Sequence, residues 1–244
     1  MINSLITRNI PLAYKGEVLY IMVLNFEYRI NNLIKKEFSK YIIKDNLSLD
    51  ELNYLIFLIK SLGEMGLQDG YSSFKKACNN KNWTIKAIAA KYLYKFEEKE
   101  SYEYLEKFLH DPVWWVRNNA ALSLDKMGLE GIKILIDTLN SEDKFAKEIS
   151  SYILASGSYY FYFKNELIKG NSKIEEIHKL INSSSGLVII DRIITDKNID
   201  VAKKIEIFKN IDVKNHEAYL LNLVERNSIN IEIRQYAKKS LNYN

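Results

Sequence analysis

The chain has 244 residues, 47% of them hydrophobic, and a formal net charge of +4 at pH 7. This length allows one globular unit or one continuous array of small units, and so small a charge does not by itself indicate binding to nucleic acid. The single cysteine, Cys78, excludes an intrachain disulfide and a thiolate metal cluster, and it favours a reducing compartment.

The start of the chain predicts an arm followed by a cap. Residues 1–16 show no clean hydrophobic period and are expected to be irregular, whereas residues 17–45 predict one long amphipathic capping helix with a polar outer face. The apolar run 18–24 is far shorter than the roughly 20 residues that span a bilayer, and it lacks the features of a signal peptide. We therefore expect a cytoplasmic protein that does not insert into a membrane.

Helical pairs follow, joined by short turns. Ser48 and Glu51 have the spacing of a capping box, which indicates where the first pair begins. The predicted pairs are 49–65 with 71–78, 83–96 with 101–109, 113–127 with 129–139, and 144–155 with 159–168. Further helices are predicted at 174–181, 187–194, 201–211, 216–224 and 230–241. No composition shift marks a linker, so we expect a single domain over residues 17–244, with clear repeats in 49–155 and degenerate repeats in 156–244.

The stretch from His110 to Gly131 shows the repeating unit most clearly. Asp111 has the position of a helix N-cap, and a glycine after the helix, Gly128, can adopt the left-handed conformation that ends it. Between them, apolar residues recur at four-residue spacing and mark one buried face. These residues are Val116, Ala120 and Leu124.

This pattern recurs along the chain. A shift of 31 residues superposes Trp83, Ile85, Lys86, Ala89, Ala90, Leu93 and Phe96 on Trp114, Val116, Arg117, Ala120, Ala121, Leu124 and Met127. A shift of 30 residues superposes the latter pattern on Ala146, Lys147, Ser150, Ser151 and Leu154, and Ile233, Arg234, Ala237 and Leu241 show the same spacing. A period of about 30 residues with two helices per unit is typical of a helical solenoid.

The unit resembles the HEAT repeat, in the short bacterial form also called the PBS-lyase HEAT-like repeat. The residues that carry the resemblance are Asp111, Pro112, Val116, Arg117, Ala120, Ala121, Leu124 and Gly128. The resemblance implies an all-α fold, a right-handed α-solenoid of antiparallel helix pairs. It also implies a non-enzymatic surface that binds another macromolecule.

The resemblance assigns a structural role to several charged residues. In HEAT repeats the positions of Asp111 and Arg117 commonly form a polar ladder between successive units, and Lys86 and Lys147 occupy the Arg117 position here. We expect these four residues to form that ladder rather than a catalytic site.

Two groups of aromatic residues are candidates for partner binding. Trp114 and Trp115 point about 100° apart on a helix; Trp114, like its equivalent Trp83, is expected to pack between repeats, and Trp115 to face solvent. The run 159–163 covers a whole helix circumference, so either some rings leave the core or the C-terminal half wraps over them. On the first alternative, the binding residues on the concave face are Tyr159, Tyr160 and Tyr162.

The sequence shows no pattern typical of catalysis. It lacks a Gly-rich phosphate loop, a His-Glu-x-x-His helix and a G-x-S-x-G elbow. The pair His216–Glu217 is similar to one iron-binding pair of HEAT-type deoxyhypusine hydroxylases, which need several such pairs, so we expect no metal and no cofactor. Cys78 is typical of a buried small hydrophobic residue rather than a nucleophile.

Three functions remain open. The first is a scaffold that binds a protein partner on its concave face. The second is a HEAT-like DNA-binding module or alkylbase DNA glycosylase, a class of similar length and architecture, although no position here matches its catalytic aspartate. The third is an accessory protein of a membrane glycosyltransferase, because residues 111–120 and 142–154 look like the last repeats of bacterial membrane-associated HEAT proteins.

Overall fold

The computed structural model describes residues 10–25, 28–96, 98–157, 159–161, 164–165, 186–209 and 211–241. These residues form helices and turns, with no strand among them, so the predicted all-α class is confirmed. The chain divides into two compact units, residues 1–124 and 125–244, and each is described by itself.

Unit 1, residues 1–124, is built from helices that pair in sequence. In the described residues these are α1 (Leu12–Leu24), α2 (Asn31–Tyr41), α3 (Leu49–Met65), α4 (Tyr71–Cys78), α5 (Trp83–Tyr92), α6 (Lys99–Leu109) and α7 (Trp114–Lys126). The bounds of α3 and α4 agree with the prediction to the residue. Ser48 explains the start of α3, because its side chain accepts a hydrogen bond from the Glu51 N–H and its own N–H donates to the Glu51 carboxylate.

The first helix of each pair packs against the first helix of the next pair, so that α1, α3 and α5 form one layer. The contact between α5 and α7 is made through the backbone. Asn119 Nδ2 donates to the Ala87 carbonyl oxygen at 2.8 Å, and Ser123 Oγ donates to the Ala90 carbonyl oxygen at 2.6 Å. The two helices therefore lie side by side with an offset of about one repeat, which is the arrangement of a helical-repeat solenoid.

The buried face of α7 is the one predicted. Val116, Ala120 and Leu124 are fully buried. Ala90 of α5 is also fully buried, and its small side chain lets Ser123 reach the backbone behind it. Small residues at the contact thus set how closely the helices approach.

The turns before the first helices repeat with the predicted period. In each turn a side-chain oxygen accepts a hydrogen bond from the N–H two residues later. The pairs are Asn80 with Asn82, Asp111 with Val113, and Ser141 with Asp143. Because α7 begins at Trp114, Asp111 shapes this turn and is not the N-cap of the helix, which corrects the prediction. Gly128 has a positive φ of +73°, but its ψ of −150° is not that of the left-handed conformation predicted for it.

The N-terminal region differs from the prediction. Instead of an irregular arm to residue 16 and one helix from residue 17, α1 begins at Leu12 directly after Pro11, whose fixed φ suits a helix start. The helix ends at Asn25, whose side chain donates to the Ile21 carbonyl oxygen at 2.8 Å. The predicted single cap is therefore a helix pair, α1 and α2, and residues 1–9 lie outside the described part of the chain.

The outer face of α1 also differs from that of a polar cap. Tyr14, Val18, Ile21 and Leu24 are exposed at helical spacing, while Leu19 and Val23 are buried. The described end of the array consequently shows an apolar stripe to solvent.

Unit 2, residues 125–244, continues the helical pattern. Its described helices are α8 (Leu129–Thr138), α9 (Lys144–Ser156), α10 (Gly186–Thr195), α11 (Val201–Phe208), α12 (Val213–Glu225) and α13 (Ile231–Ser240). Helix α9 packs against α8 and α10, and α13 packs against α11 and α12. The predicted helices 187–194, 201–211, 216–224 and 230–241 correspond to α10 through α13 within three residues at each end, and the predicted helix 174–181 lies outside the described residues.

The packing of α3 on α5 depends on a glycine. Gly63, in the last turn of α3, is buried against the ring of Tyr92, and a Cβ at this position would lie 2.6 Å from the Tyr92 Cβ. Such a contact forces one of the two helices to move.

We therefore expect Gly63→Ala to lower the free energy of unfolding by about 1–3 kcal/mol, although alanine favours a helix interior over glycine by about 1 kcal/mol. Urea titration followed by circular dichroism measures the change. Gly70→Ala is the matched control, because its nearest neighbour would be Leu62 Cδ2 at 3.9 Å. Equal stability of Gly63→Ala and the unaltered chain would contradict this account of the packing.

Candidate partner-binding site

All three tryptophans of the chain lie at the starts of two first helices in unit 1. Trp83 is the first residue of α5, and Trp114 and Trp115 are the first two of α7; their exposed fractions are 46%, 49% and 56%. Because Asn119 and Ser123 hold α7 beside residues 32 and 33 positions earlier, Trp115 lies at the same level as Trp83. We call Trp83, Trp114 and Trp115 the tryptophan edge.

The rings of Trp114 and Trp115 contact each other. Their centroids are 4.7 Å apart and their planes meet at 79°, an edge-to-face pair. The expectation that Trp114 and Trp83 pack between repeats is wrong, since each is about half exposed. Both stand in the first turn of their helices, before the first buried positions Ile85 and Val116.

Hydrogen bonds fix the backbone that carries these rings. Asn82 caps α5 by accepting from the Thr84 N–H at 2.9 Å. Before α7, Arg117 Nη1 donates to the carbonyl oxygens of Asp111 at 2.8 Å and Pro112 at 3.0 Å. The tryptophan edge is therefore presented by ordered turns rather than by loose loops.

The four residues of the expected polar ladder have different surroundings. Lys86 on α5 forms an ion pair with Asp111 in the turn of the next repeat, and both side chains are largely buried. Arg117 is buried and binds the turn before its own helix. The side chain of Lys147 makes no hydrogen bond or ion pair with the residues that the structure describes. Lys86 and Asp111 thus form a rung between two repeats in unit 1.

Lys204 belongs to the same series and was missed from the sequence. It lies four residues after the helix cap Asp200, just as Lys86 follows Asn82, and its buried ammonium donates to the Ile194 carbonyl oxygen at 2.9 Å. Burial lowers the pKa of this ammonium below its ordinary value. The spacing between the helix cap and the basic residue could have identified Lys204. The repeat pattern, however, cannot be followed in the sequence beyond residue 155.

Tyr159 and Tyr160 are not available to a partner, which corrects their assignment as binding residues. Their exposed fractions are 3% and 5%. Tyr160 donates its hydroxyl hydrogen to the Arg192 carbonyl oxygen at 3.0 Å, and the Arg192 guanidinium lies 3.8 Å from the centre of the Tyr160 ring. Of the remaining run, Phe161 is exposed, and Tyr162 lies outside the described residues.

Within the described residues, no group of three or more His, Cys, Asp or Glu side chains is arranged to hold a metal ion. His216 is buried at a kink in α12, where its φ is −126°. Cys78 is also buried, and burial raises the pKa of its thiol to about 12.

No described helix has both the length and the apolar character needed to cross a bilayer.

Comparison with known proteins identifies the repeats. A family model of HEAT repeats matches residues 53–125 and, in a second alignment, residues 75–150. No curated protein matches the chain.

The ion pair between Lys86 and Asp111 leads to a stability prediction. Lys86→Met leaves a largely buried carboxylate without its cation and is expected to lower the free energy of unfolding by about 1–3 kcal/mol. Adding Asp111→Asn should recover part of that loss, so a double-mutant cycle should give a favourable coupling energy. Lys133→Met, in the exposed pair with Glu130, is the control and should leave stability unchanged. Equal losses for both lysines would contradict a special role for this pair.

Cys78 leads to a reactivity prediction. Because the thiolate is the reactive form, a buried thiol with a pKa of about 12 should react with iodoacetamide at pH 8 at least about a hundredfold slower in the native protein than in urea, where the ordinary value of about 8.5 applies. Mass spectrometry measures both rates, with glutathione as the reference for the effect of urea. Similar rates in the two states would show that the thiol is accessible and able to act as a nucleophile.

Proposed function

We propose that this protein, whose residues 53–150 are HEAT repeats, is a non-enzymatic scaffold that binds a protein partner through the tryptophan edge. The observation that carries the proposal is the exposure of three tryptophans at the starts of two neighbouring helices, with the rings of Trp114 and Trp115 in contact. Tryptophan is enriched among the residues that dominate the binding energy of protein interfaces, and adjacent exposed rings supply a large apolar area at low entropic cost.

The basic residues near the edge favour a protein over DNA. Nucleic acid is held mainly by Lys and Arg on its phosphates. In both α5 and α7 the first basic residue after the tryptophans is already engaged: Lys86 is paired with Asp111, and Arg117 donates to backbone carbonyl groups. This supports protein binding, and the placement in the cytoplasm stays an expectation drawn from the sequence.

The proposal predicts that Trp114→Ala with Trp115→Ala abolishes partner capture while the helical fold is kept, since both rings are exposed. The full chain is immobilised and incubated with extract of its source cells, and the retained proteins are quantified by mass spectrometry. We expect a set of proteins to be reduced at least about tenfold by the double substitution, equivalent to about 1.4 kcal/mol of binding.

Tyr152→Ala is the matched control, because Tyr152 is an aromatic residue of similar exposure in unit 2. It should retain the same proteins as the unaltered chain. Identical capture by the double variant would refute the assignment of the tryptophan edge. Capture that disappears after nuclease treatment would instead support the nucleic-acid alternative.

A further inference from the structure

A groove of about 1220 Å³ opens in unit 1. It lies between the loop 42–47, the loop 79–82 and the exposed faces of α4 and α6. Its volume exceeds the roughly 300–1,000 Å³ of small-molecule sites, so it has room for a peptide segment. The loop 79–82 leads directly into Trp83, so the groove is continuous along the chain with the tryptophan edge.

The floor of the groove is held in register by two contacts between α4 and α6. Lys75 Nζ lies 3.0 Å from the Glu100 carboxylate, and Asn79 Nδ2 donates to the Tyr104 hydroxyl at 2.8 Å. Both contacts join residues 25 positions apart, so the two helix faces are aligned along the groove. The site is thus preformed, which lowers the entropic cost of binding.

Lysines outnumber the carboxylates in the lining of this groove. Lys76, Lys81 and Lys107 are exposed there and form no ion pair with any described residue, whereas Lys75 is engaged by Glu100. The other lining lysine, Lys44, is paired with Glu51 at 2.6 Å. Three ammonium groups therefore remain for an anionic ligand.

Part of the groove lining is apolar. This part consists of Ile42, Ile43, Leu47, Leu52 and Ile85, of which Ile43 is the most exposed, at 75%. A ligand that fills the groove must therefore offer an apolar group beside its negative charges. An acidic peptide segment with an intervening aliphatic side chain meets both conditions.

We propose that this groove binds an acidic peptide segment, with carboxylates on Lys76, Lys81 and Lys107 and an aliphatic side chain against Ile43. The inference rests on the proposed function, since it names the chemistry of the partner that the scaffold binds. Asparagine amides in the same lining can bind a peptide backbone: the amide nitrogens of Asn80 and Asn82 can donate, and the amide oxygen of Asn79 can accept.

Two carboxylates in the lining distinguish a peptide from an oligonucleotide. Asp45 and Glu103 face the same groove and form no ion pair with the described residues. They can accept hydrogen bonds from peptide N–H groups, whereas the phosphates of a nucleic acid carry no such donor. The same residues that reduce the net positive charge therefore favour the peptide.

The test uses fluorescence anisotropy with the full chain and a labelled peptide in which Glu-Glu-Leu is repeated. The triple variant Lys76→Glu, Lys81→Glu, Lys107→Glu should bind it at least about tenfold more weakly, and affinity for the unaltered chain should fall as salt rises from about 50 to about 500 mM. A Lys-Lys-Leu peptide should not bind. The matched control is Lys36→Glu, Lys60→Glu, Lys91→Glu, which makes the same change of net charge outside the groove and should bind within about twofold of the unaltered chain.

Equal affinity of the two triple variants, or binding of the Lys-Lys-Leu peptide, would overturn the inference. So would tighter, lysine-dependent binding of single-stranded oligo-dT, which would make the ligand a nucleic acid. Circular dichroism checks that each variant is folded. The two proposals are tested by different experiments. Peptide binding tests the role of the groove lysines, and partner capture by the Trp114→Ala, Trp115→Ala variant tests the tryptophan edge.

Discussion

The close approach of consecutive first helices is the constraint on which unit 1 depends. Gly63 admits the Tyr92 ring between α3 and α5, and Ala90 leaves room for Ser123 to reach a backbone carbonyl group. Larger side chains at Gly63 or Ala90 would separate the helices and break both contacts. The distance between consecutive first helices is therefore set by the small residues Gly63 and Ala90, and the large aliphatic residues fill the remaining interior.

This spacing also determines what the surface presents. Because α5 and α7 are held with a fixed offset, Trp83 and Trp115 occupy equivalent positions at the starts of neighbouring helices. The groove depends on the same regularity in the second helices, where contacts of equal offset align α4 with α6. A protein partner could meet an aromatic edge and a basic groove that share the loop 79–82.

The sequence predicted the elements whose ends are marked by local chemistry. The capping box at Ser48 and the left-handed Gly66 bound α3, and both are readable from residue types. The division of the N-terminal helix was missed because Asn25 ends α1 through a side-chain hydrogen bond where no glycine or proline stands. The burial of Tyr160 could not be predicted, since it depends on Arg192, about one repeat away in a region where the repeat pattern is too weak to follow in the sequence.

The hydrogen bond from Ser123 to Ala90 has a consequence for how such an array changes over evolutionary time. Its acceptor is a peptide carbonyl group, which every amino acid supplies. The bond therefore restricts the size of the residue at position 90 but not its chemical identity. The sequence of such a repeat can therefore change during evolution while the packing of its helices is kept, so that its sequence motif disappears before its structure does.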